Sequence, residues 1–575
     1  MTELTGWFSR SVPFLDIFES PLELLARQLL YRIPAVSFSS SPPPSPSSFL
    51  LRTKMGSFSE KDEKHEHGVA VTTNEVDTGA ALLTGASPVE LDEAEATRIR
   101  RKIDLHILPL MCILYWIQFM DKTTLGSSAI LGIRTATHLT TNQYNWLGTI
   151  FYLSYLVFEY PQNLALQRLP VGRWMRHVII SFESINIFVW AVALCSHAAC
   201  KNFAGLFVVR LILGACEGSI TAGFMIVSSM FYTRNEQTLR VGYWFLMNGT
   251  AQIISGFISF GSLHIKTSGF QPWQWLMIIT GMLTLITATL FFFFFPDSPT
   301  SAWFLTPDER AKAVLRIKEN QTGVENKHFK WDQMIEAFTD PKTWLFALFS
   351  ALDNIPNSLT NQRSIIVASF GFTNLQTTLL GCVDGLVEIV TIFTGVQLVS
   401  RIPNSRAYIA VIYFIPNIMG VFLINFLPWS NKVGLLFSQW LTGVGTTAFV
   451  LALAWVGQTT AGHTKRITTN AIMLSAYCIG NAAAPFMWQA KYKPRNHIPW
   501  IIIGISYVCC ICLMLAIRFL LARENRLRDN EPHDDTYEDV YVEKVLEDGS
   551  RVEVKVPKEL LDLTDRQNRE FRYVL

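Results

Sequence analysis

Two adjacent charges interrupt an apolar stretch of the chain. Asp121 and Lys122 lie within YWIQFMDKTTLGSSAILG, residues 115–132, in a segment that is otherwise apolar from Leu105 to Ile133. A charged side chain at the centre of a bilayer costs roughly 2.5–3.5 kcal/mol on insertion scales, so such residues face a cavity or a partner. Neighbouring helical residues point about 100° apart and cannot simply pair. We therefore expect at least one of the two to find its partner on another helix.

A second pair of charges has the spacing of one helix face. Arg210 and Glu217 lie seven residues apart, which is two helical turns. The same stretch holds Gly214 and Gly218, and small residues four apart allow another helix to approach closely. The pair can therefore bind and move charge in a cavity, or form a salt bridge that supports a helix bundle.

Other ionisable residues in apolar stretches leave similar alternatives open. Asp384 and Glu388, four residues apart, share a face and can form a proton site or a gating contact. For Glu159, in FEYPQN, we favour an ion pair with a residue of a neighbouring helix. Asp353 and Arg363 flank IPNSLTNQ, whose proline and polar residues predict a bent, cavity-lining segment. Four polar or aromatic residues are candidates for contact with a bound molecule or for helix packing: Gln118, Asn248, Trp455 and Asn481.

The elements that carry these residues are predicted from composition and hydropathy. Of 575 residues, 50% are hydrophobic and 16% are charged, whereas soluble domains carry about 25% charged residues. A membrane-spanning helix needs about 20 mostly apolar residues. Twelve segments meet this requirement, near residues 105–131, 143–166, 176–196, 203–231, 240–263, 273–295, 344–370, 376–399, 407–428, 433–457, 467–489 and 498–521. The sequence therefore predicts an all-α polytopic membrane protein.

A polar stretch after the sixth segment divides the twelve into two sets of six. The predicted order is a disordered cytosolic tail (1–102), an N-terminal six-helix bundle (103–296), a cytosolic middle loop (297–342), a C-terminal six-helix bundle (343–521) and a cytosolic C-terminal tail (522–575). Met55 is an alternative start, which would leave residues 1–54 out of the native product. Lys and Arg are concentrated in the connections that this order places in the cytosol, so both termini are expected there.

The middle loop contains a helix-start pattern. Thr306, Pro307 and Glu309 have the positions of an N-cap, a first-turn proline and the acid of a capping box. We therefore expect a helix over residues 307–320.

Several classes of function are not supported by the sequence. The nine cysteines are scattered without metal-ligand spacing, which favours small packing residues, and the net charge of +2 gives no indication of a nucleic-acid partner. Neither GxxxxGK[ST] nor GxGxxG occurs, so we expect no enzyme activity, no bound cofactor and no use of ATP.

Six stretches together carry a family resemblance: RRKIDLHILPLMCILYWIQFMDKTTLGSSAILG (100–132), FEYPQNLALQRLPVGRW (158–174), RLILGACEGSITAGF (210–224), WQWLMIITGMLT with FPDSPTSAWFLTPDER (273–310), AGHTKRITTNAI (461–472) and LTDRQNREFRYVL (563–575). The chain resembles the major facilitator superfamily, more finely its anion:cation symporter group and the fungal allantoate permease-like transporters. It departs from the family in the loop after the second segment, which keeps only Arg168, Pro170, Gly172 and Arg173 of the usual pattern, and at Ser400, where an acid is expected.

The resemblance implies secondary active transport in the plasma membrane, in which two bundles rock around a central site and protons accompany a small organic anion or a vitamin-like nutrient. It implies Lys122 as the attraction for the anion, Arg210 as a second anion contact or charge partner, and Glu217 as the proton-coupling group. Asp384 and Glu388 are further candidates for coupling. The remaining charges are expected to be structural or gating: Asp121, Glu159, Asp353 and Arg173.

Two alternatives remain open at this point. The same fold could export a secondary metabolite, because the departures weaken the assignment to nutrients. A transport-inactive nutrient sensor is also compatible with the long tails. The expected partners are the substrate, protons and the lipid bilayer, and we expect a monomer.

Overall fold

The computed structural model describes residues 69–71, 91–168, 179–218, 220–265, 267, 269–296, 298–318, 329–532, 540–545, 551–555 and 561–575. The alternative start at Met55, residues 1–54 and Arg173 lie outside the described residues. The N-terminal half contains α1 (Glu93–His106), α2 (Leu108–Ile130), α3 (Ile133–Ala136), α4 (Thr141–Arg168), α5 (Ile179–Ser196), α6 (Phe203–Glu217), α7 (Ile220–Phe231), α8 (Arg234–Phe245), α9 (Met247–His264) and α10 (Pro272–Phe294). Several of these helices follow one another almost without a break, so the half forms six successive helical segments.

Two helices lie between the halves, α11 (Pro307–Lys318) and α12 (Trp331–Thr339). The C-terminal half contains α13 (Pro341–Asp353), α14 (Leu359–Ser369), α15 (Asn374–Arg401), α16 (Arg406–Phe426), α17 (Lys432–Leu441), α18 (Thr446–Gln458), α19 (His463–Ala483) and α20 (His497–Asp529). The prediction of an all-α membrane protein with six helical segments in each half is confirmed for the described part of the two halves, and the strands found among the described residues lie outside them. The residue bounds of the five predicted regions stay predictions.

Six helical stretches among the described residues are long and apolar enough to cross a membrane on their own: Glu93–Ile130, Pro272–Phe294, Asn374–Arg401, Arg406–Phe426, Lys432–Gln458 and His497–Asp529. Others are interrupted, as at Pro356–Ser358, where a short 3-10 turn separates α13 from α14. This is the bend that the proline and polar residues of IPNSLTNQ predict.

Glycines set the distance between helices at two places. A Cβ atom at Gly214 would lie 2.1 Å from the carbonyl oxygen of Phe151, so α6 and α4 approach as closely as the small-residue spacing predicts. The halves meet in the same way where α9 crosses α15. A Cβ at Gly249 would lie 2.3 Å from the oxygen of Gly385, and a Cβ at Gly385 would lie 2.4 Å from the oxygen of Gly249.

The start of α11 confirms the capping-box prediction. The Thr306 amide donates to Glu309 Oε2 at 3.0 Å, and the Glu309 amide donates to Thr306 Oγ1 at 3.3 Å. The described helix runs from Pro307 to Lys318, and the last two residues of the predicted range lie outside the described residues. Glu309 also binds Lys102 at the end of α1, with Nζ and Oε2 2.6 Å apart, which ties this helix to the N-terminal half.

Two regular elements lie in segments that the sequence assigns to tails. Helix α1 already begins at Glu93, because Ile99 and Ile103 on one face are buried and Glu93 and Glu95 suit the first turn. Three strands, β1 (Val69–Val71), β2 (Val540–Val545) and β3 (Arg551–Lys555), form one sheet in which β1 is parallel to β2 and β2 is antiparallel to β3.

Residues 561–575, which we call the tail clasp, pack against the ends of the C-terminal helices. The carboxylate of Asp565 is fully buried and binds the ammonium groups of Lys342 and Lys465, the latter at 2.8 Å. It also accepts hydrogen bonds from the Tyr573 hydroxyl at 2.6 Å and from the Ala461 amide at 3.2 Å. One carboxylate thus joins α13, the start of α19 and the clasp itself.

Further bonds from the helices to the backbone hold the clasp in place. Trp455 Nε1 donates to the carbonyl oxygen of Val574 at 2.6 Å, and Arg528 donates to that of Phe571 at 2.7 Å. Asn525 donates to the Tyr573 carbonyl, also at 2.7 Å. The sequence predicts only a polar tail here, because the partners of these residues are far away in the chain.

Candidate functional site

A cavity of about 180 Å³ lies between the two halves. Its wall is built from α2, α4 and α7–α9 on one side and from α13–α15, α18–α20 and the connection between α17 and α18 on the other. At about 30 Å³ per water in the liquid, this volume holds roughly six waters or a small organic molecule. The wall contains many hydroxyl and amide groups, so a polar molecule can be bound there without losing its hydrogen bonds.

Among the described residues, five charged side chains line the cavity, namely Lys122, Asp353, Arg363, Asp384 and Glu388. Arg363 Nη1 lies 2.9 Å from Asp384 Oδ1, across from α14 to α15. Glu388 Oε2 accepts a hydrogen bond from the Gln252 amide, whereas its Oε1 has no partner among the described residues. The predicted face shared by Asp384 and Glu388 therefore does point into a cavity.

Lys122 reaches the wall from α2 and is backed by a buried acid. Its ammonium lies 3.9 Å from Glu217 Oε2 and 5.8 Å from the centre of the Tyr155 ring. Glu217 is fully buried, and within the described part of the chain neither of its oxygens accepts a hydrogen bond. The contact is therefore a charge pair without a close hydrogen bond.

Asp121 points away from this pair. It is fully buried, and its Oδ2 accepts a hydrogen bond from Thr284 Oγ1 of α10 at 3.2 Å. The two adjacent charges of α2 thus find partners on different helices, as their angular separation requires. This contact fits the predicted structural role of Asp121.

The other predicted residues lie at different depths. Asn248 lines the cavity, and Asn481 stands behind the wall, where it exchanges hydrogen bonds with Asn354 and Asn357 at 3.1 and 2.7 Å. Gln118 donates weakly to the Glu217 carbonyl at 3.5 Å, and Trp455 binds the tail clasp. Two buried charges, Arg210 and Glu159, lie outside the wall with side-chain atoms that lack hydrogen-bond partners among the described residues.

An aromatic wall was not predicted. It consists of five residues in a chain of ring contacts: Tyr115, Phe245, Phe449, Tyr477 and Tyr155. Successive ring centres are 4.9, 6.3, 5.7 and 6.2 Å apart. Both halves contribute, so these rings meet only in the folded chain. In the sequence they are indistinguishable from the many aromatic residues that face lipid.

No group of three or more metal-ligating side chains occurs among the described residues, and the cysteines found there are free thiols. The site offers charge, hydrogen bonds and aromatic surface, and it lies at the meeting of two helical halves. Such an arrangement suits the binding of a polar solute between the two halves.

Comparison with known proteins agrees with this architecture. Residues 111–431 match the Major Facilitator Superfamily. The chain is 35% identical over 479 residues to a protein of Saccharomyces cerevisiae, "Thiamine pathway transporter THI73", covering 83% of this chain and 86% of that protein. It is 31% identical over 523 residues to the "Allantoate permease" of the same yeast, covering 88% and 92%.

A solved structure of the xylose transporter XylE from E. coli, in a partially occluded inward-open conformation, has the same fold. Its TM-score is 0.52 at 11% sequence identity, with 72% of this chain and 97% of that chain covered. The chain is therefore a multi-pass membrane transporter and not an enzyme. It belongs to the major facilitator superfamily, in the family of fungal allantoate permease-like transporters.

Proposed function

We propose that this transporter takes up a small organic anion across the plasma membrane together with protons, by alternating access of its two halves. The observation that carries the proposal is the pair formed by Lys122 and Glu217. An ammonium on the cavity wall is backed, at 3.9 Å, by a carboxylate that is buried and accepts no hydrogen bond among the described residues. A substrate carboxylate that enters the cavity meets this ammonium.

Coupling follows from competition for Lys122. While Glu217 is charged, it neutralises the ammonium and weakens the attraction for an incoming anion. A proton on Glu217 removes that competition, so proton and substrate binding favour each other. Such coupling is reciprocal, because each ligand changes the affinity of the other by the same factor. Release of the substrate on the other side then lets Glu217 lose its proton.

The C-terminal half supplies candidates for gating and for additional proton sites. Arg363 and Asp384 form an ion pair across α14 and α15, and ion pairs of this kind can break and form again as the halves move. Glu388 faces the cavity with one free oxygen, which suits a second proton site. Arg210 supports the N-terminal site as a buried cation behind the wall.

The direction and the membrane are part of the same proposal. Basic residues near the predicted inner ends favour cytosolic termini. The relatives named for a thiamine pathway and for allantoate are transporters of the same family, which supports a small nutrient as the substrate. A reporter fused to the N-terminus should be protected from external protease, and digestion of the reporter in intact cells would contradict the orientation.

Uptake into yeast cells that express the chain tests the function. A panel of labelled small carboxylates is offered at mildly acidic and at neutral pH, with and without a protonophore. We expect accumulation that is stronger at acidic pH and abolished by the protonophore. Accumulation that is the same with and without the protonophore contradicts proton coupling. Absence of accumulation with the protein at the cell surface contradicts import, and faster loss of a preloaded compound would then establish export.

A further inference from the structure

The charges of the cavity wall do not balance. Among the described residues, the wall has two cations, Lys122 and Arg363, and three carboxylates, Asp353, Asp384 and Glu388. Arg363 is already paired with Asp384 at 2.9 Å, and Lys122 is already shared with Glu217 behind the wall. Two carboxylates, those of Asp353 and Glu388, therefore face the cavity without a cation.

Asp353 is the more isolated of the two. Its side chain is 9% exposed, it lies at the last residue of α13, and the described residues give it neither a hydrogen bond nor an ion pair. Glu388, by contrast, accepts a hydrogen bond from the side-chain amide of Gln252. The Asp353 carboxylate is therefore open to the cavity, where a molecule that enters can pair with it.

An anion alone would not complete this site. It would enter a cavity of about 180 Å³ whose unpaired groups are already negative, and only Lys122 would attract it. If the molecule also carries a positively charged nitrogen, its own negative charge is balanced, and the nitrogen can pair with the carboxylate of Asp353. The aromatic wall gives apolar surface for the rest of such a molecule.

We propose that the substrate is a small zwitterion, whose carboxylate binds Lys122 of the N-terminal half and whose cationic nitrogen binds Asp353 of the C-terminal half. This inference rests on the proposed function, because it keeps Lys122 as the anion contact. A ligand of this kind connects the two halves by one charge contact on each. Binding therefore stabilises the conformation in which the halves enclose it.

Matched pairs of compounds test the proposal. Each pair has the same carbon skeleton with and without the amino group: alanine with propionate, and phenylalanine with 3-phenylpropionate. Glycine betaine is added because its positive charge cannot be lost. Uptake into cells and thermal stabilisation of the purified full chain are measured for wild type, for Asp353→Asn and for the control Asp332→Asn, an exposed carboxylate on α12.

We expect at least one amine-bearing compound to be preferred over its partner by tenfold or more in wild type and in Asp332→Asn. In Asp353→Asn, the ratio between the uptake of the amine-bearing compound and that of its partner should fall towards one. Equal uptake of both members of every pair overturns the zwitterion while leaving proton-coupled carboxylate transport intact. A preference that survives in Asp353→Asn overturns the role of this residue. If no compound is taken up and none stabilises the purified protein, the zwitterion and the proposed function both fail.

Discussion

In the tail clasp, the buried charges satisfy one another, whereas in the cavity they do not. Asp565 has two ammonium groups, a hydroxyl and an amide as partners, and Lys465 also lies 2.8 Å from Glu336 and 3.0 Å from Asp340. In the cavity, Lys122 lies 3.9 Å from its acid, and Asp353 has no partner among the described residues. Both regions are largely removed from water, although Asp353 is 9% exposed and Asp565 is fully buried.

The difference separates two uses of buried charge. A cluster with matched charges and short contacts fixes one arrangement, and breaking it leaves an uncompensated charge. A cluster with missing partners can be completed by a ligand that binds reversibly, such as a substrate or a proton. The pairing of a charge, rather than its burial, therefore indicates whether it holds the structure or takes part in transport.

The largest effect is expected at the clasp. Asp565→Asn keeps the shape of the side chain and removes the charge that two lysines share. Loss of one partner from a buried pair costs about 3–5 kcal/mol. We expect the lower end of this range, because Asp340 remains 3.2 and 3.0 Å from the ammonium groups of Lys342 and Lys465. Thermal unfolding of the purified protein in detergent measures the loss.

Asp529→Asn is the matched control for this variant. Asp529 also forms an ion pair between α20 and the clasp, with Arg572 at 2.8 Å, but the two side chains are 62% and 43% exposed. Exposed pairs contribute about 0–1 kcal/mol, so the unfolding temperature should hardly change. Equal losses in the two variants would show that pairing inside the clasp does not depend on burial.

Acid should remove the advantage of wild type over Asp565→Asn. Burial alone would raise the pKa of the Asp565 carboxyl, but the ammonium groups of Lys342 and Lys465 outweigh it and hold the pKa below its ordinary value. The stabilisation is therefore fully present above the unfolded pKa of about 3.9 and is lost as the pH falls below it towards the folded pKa. The difference in unfolding temperature between the two proteins, measured across this range, should be constant at neutral pH and shrink in acid. If the difference in unfolding temperature stays the same in acid, the stabilisation does not come from the charge of Asp565.

Lys122→Ala should act mainly on transport, because the contact of Lys122 with Glu217 at 3.9 Å lacks a close hydrogen bond. A hydrogen bond to a charged group contributes about 1.5–3 kcal/mol, which corresponds to a loss of roughly ten- to a hundredfold in the initial rate of uptake at low substrate. The amount of protein at the cell surface should stay the same. Lys201→Ala, which removes an exposed lysine between α5 and α6, is the control and should transport normally. Normal uptake by Lys122→Ala would exclude this lysine as the anion contact.

Glu217→Gln should have the smallest effect on binding and a selective effect on coupling. The amide imitates a permanently protonated acid, so Lys122 stays available to the anion. We expect substrate binding to persist while uptake loses its dependence on pH and on the protonophore. Uptake and binding are measured side by side with Glu93→Gln, an exposed acid at the start of α1. A pH profile that matches wild type would exclude Glu217 from proton coupling.

The features that follow from local spacing could be predicted from the sequence. The capping box of Thr306 and Glu309 involves residues three apart, the glycine at position 214 sits on a helix face, and the divergence of Asp121 and Lys122 is a property of any α-helix. The twelve segments follow from apolar length alone. Each of these rests on a few neighbouring residues, which the sequence shows directly.

Partners that are distant in the chain could not be predicted. Lys342 and Asp565 are 223 residues apart, and the tail that brings them together is polar throughout. Trp455 is a residue type that often lines binding cavities, yet its indole N–H donates to the backbone of the tail clasp. For Asp353 the sequence shows an acid beside a bend, but only the packing of both halves shows that no cation of the described residues pairs with it.

The order of the clasp in the chain has a consequence for biosynthesis. Lys342 and Lys465 are made 223 and 100 residues before the carboxylate that neutralises them. At about 5–20 residues per second, the first lysine waits roughly 10–45 seconds for its partner. A product that terminates between Lys465 and Asp565 has both ammonium groups but lacks the carboxylate that they share. The C-terminal half therefore reaches its full charge pairing only when the end of the chain has been made.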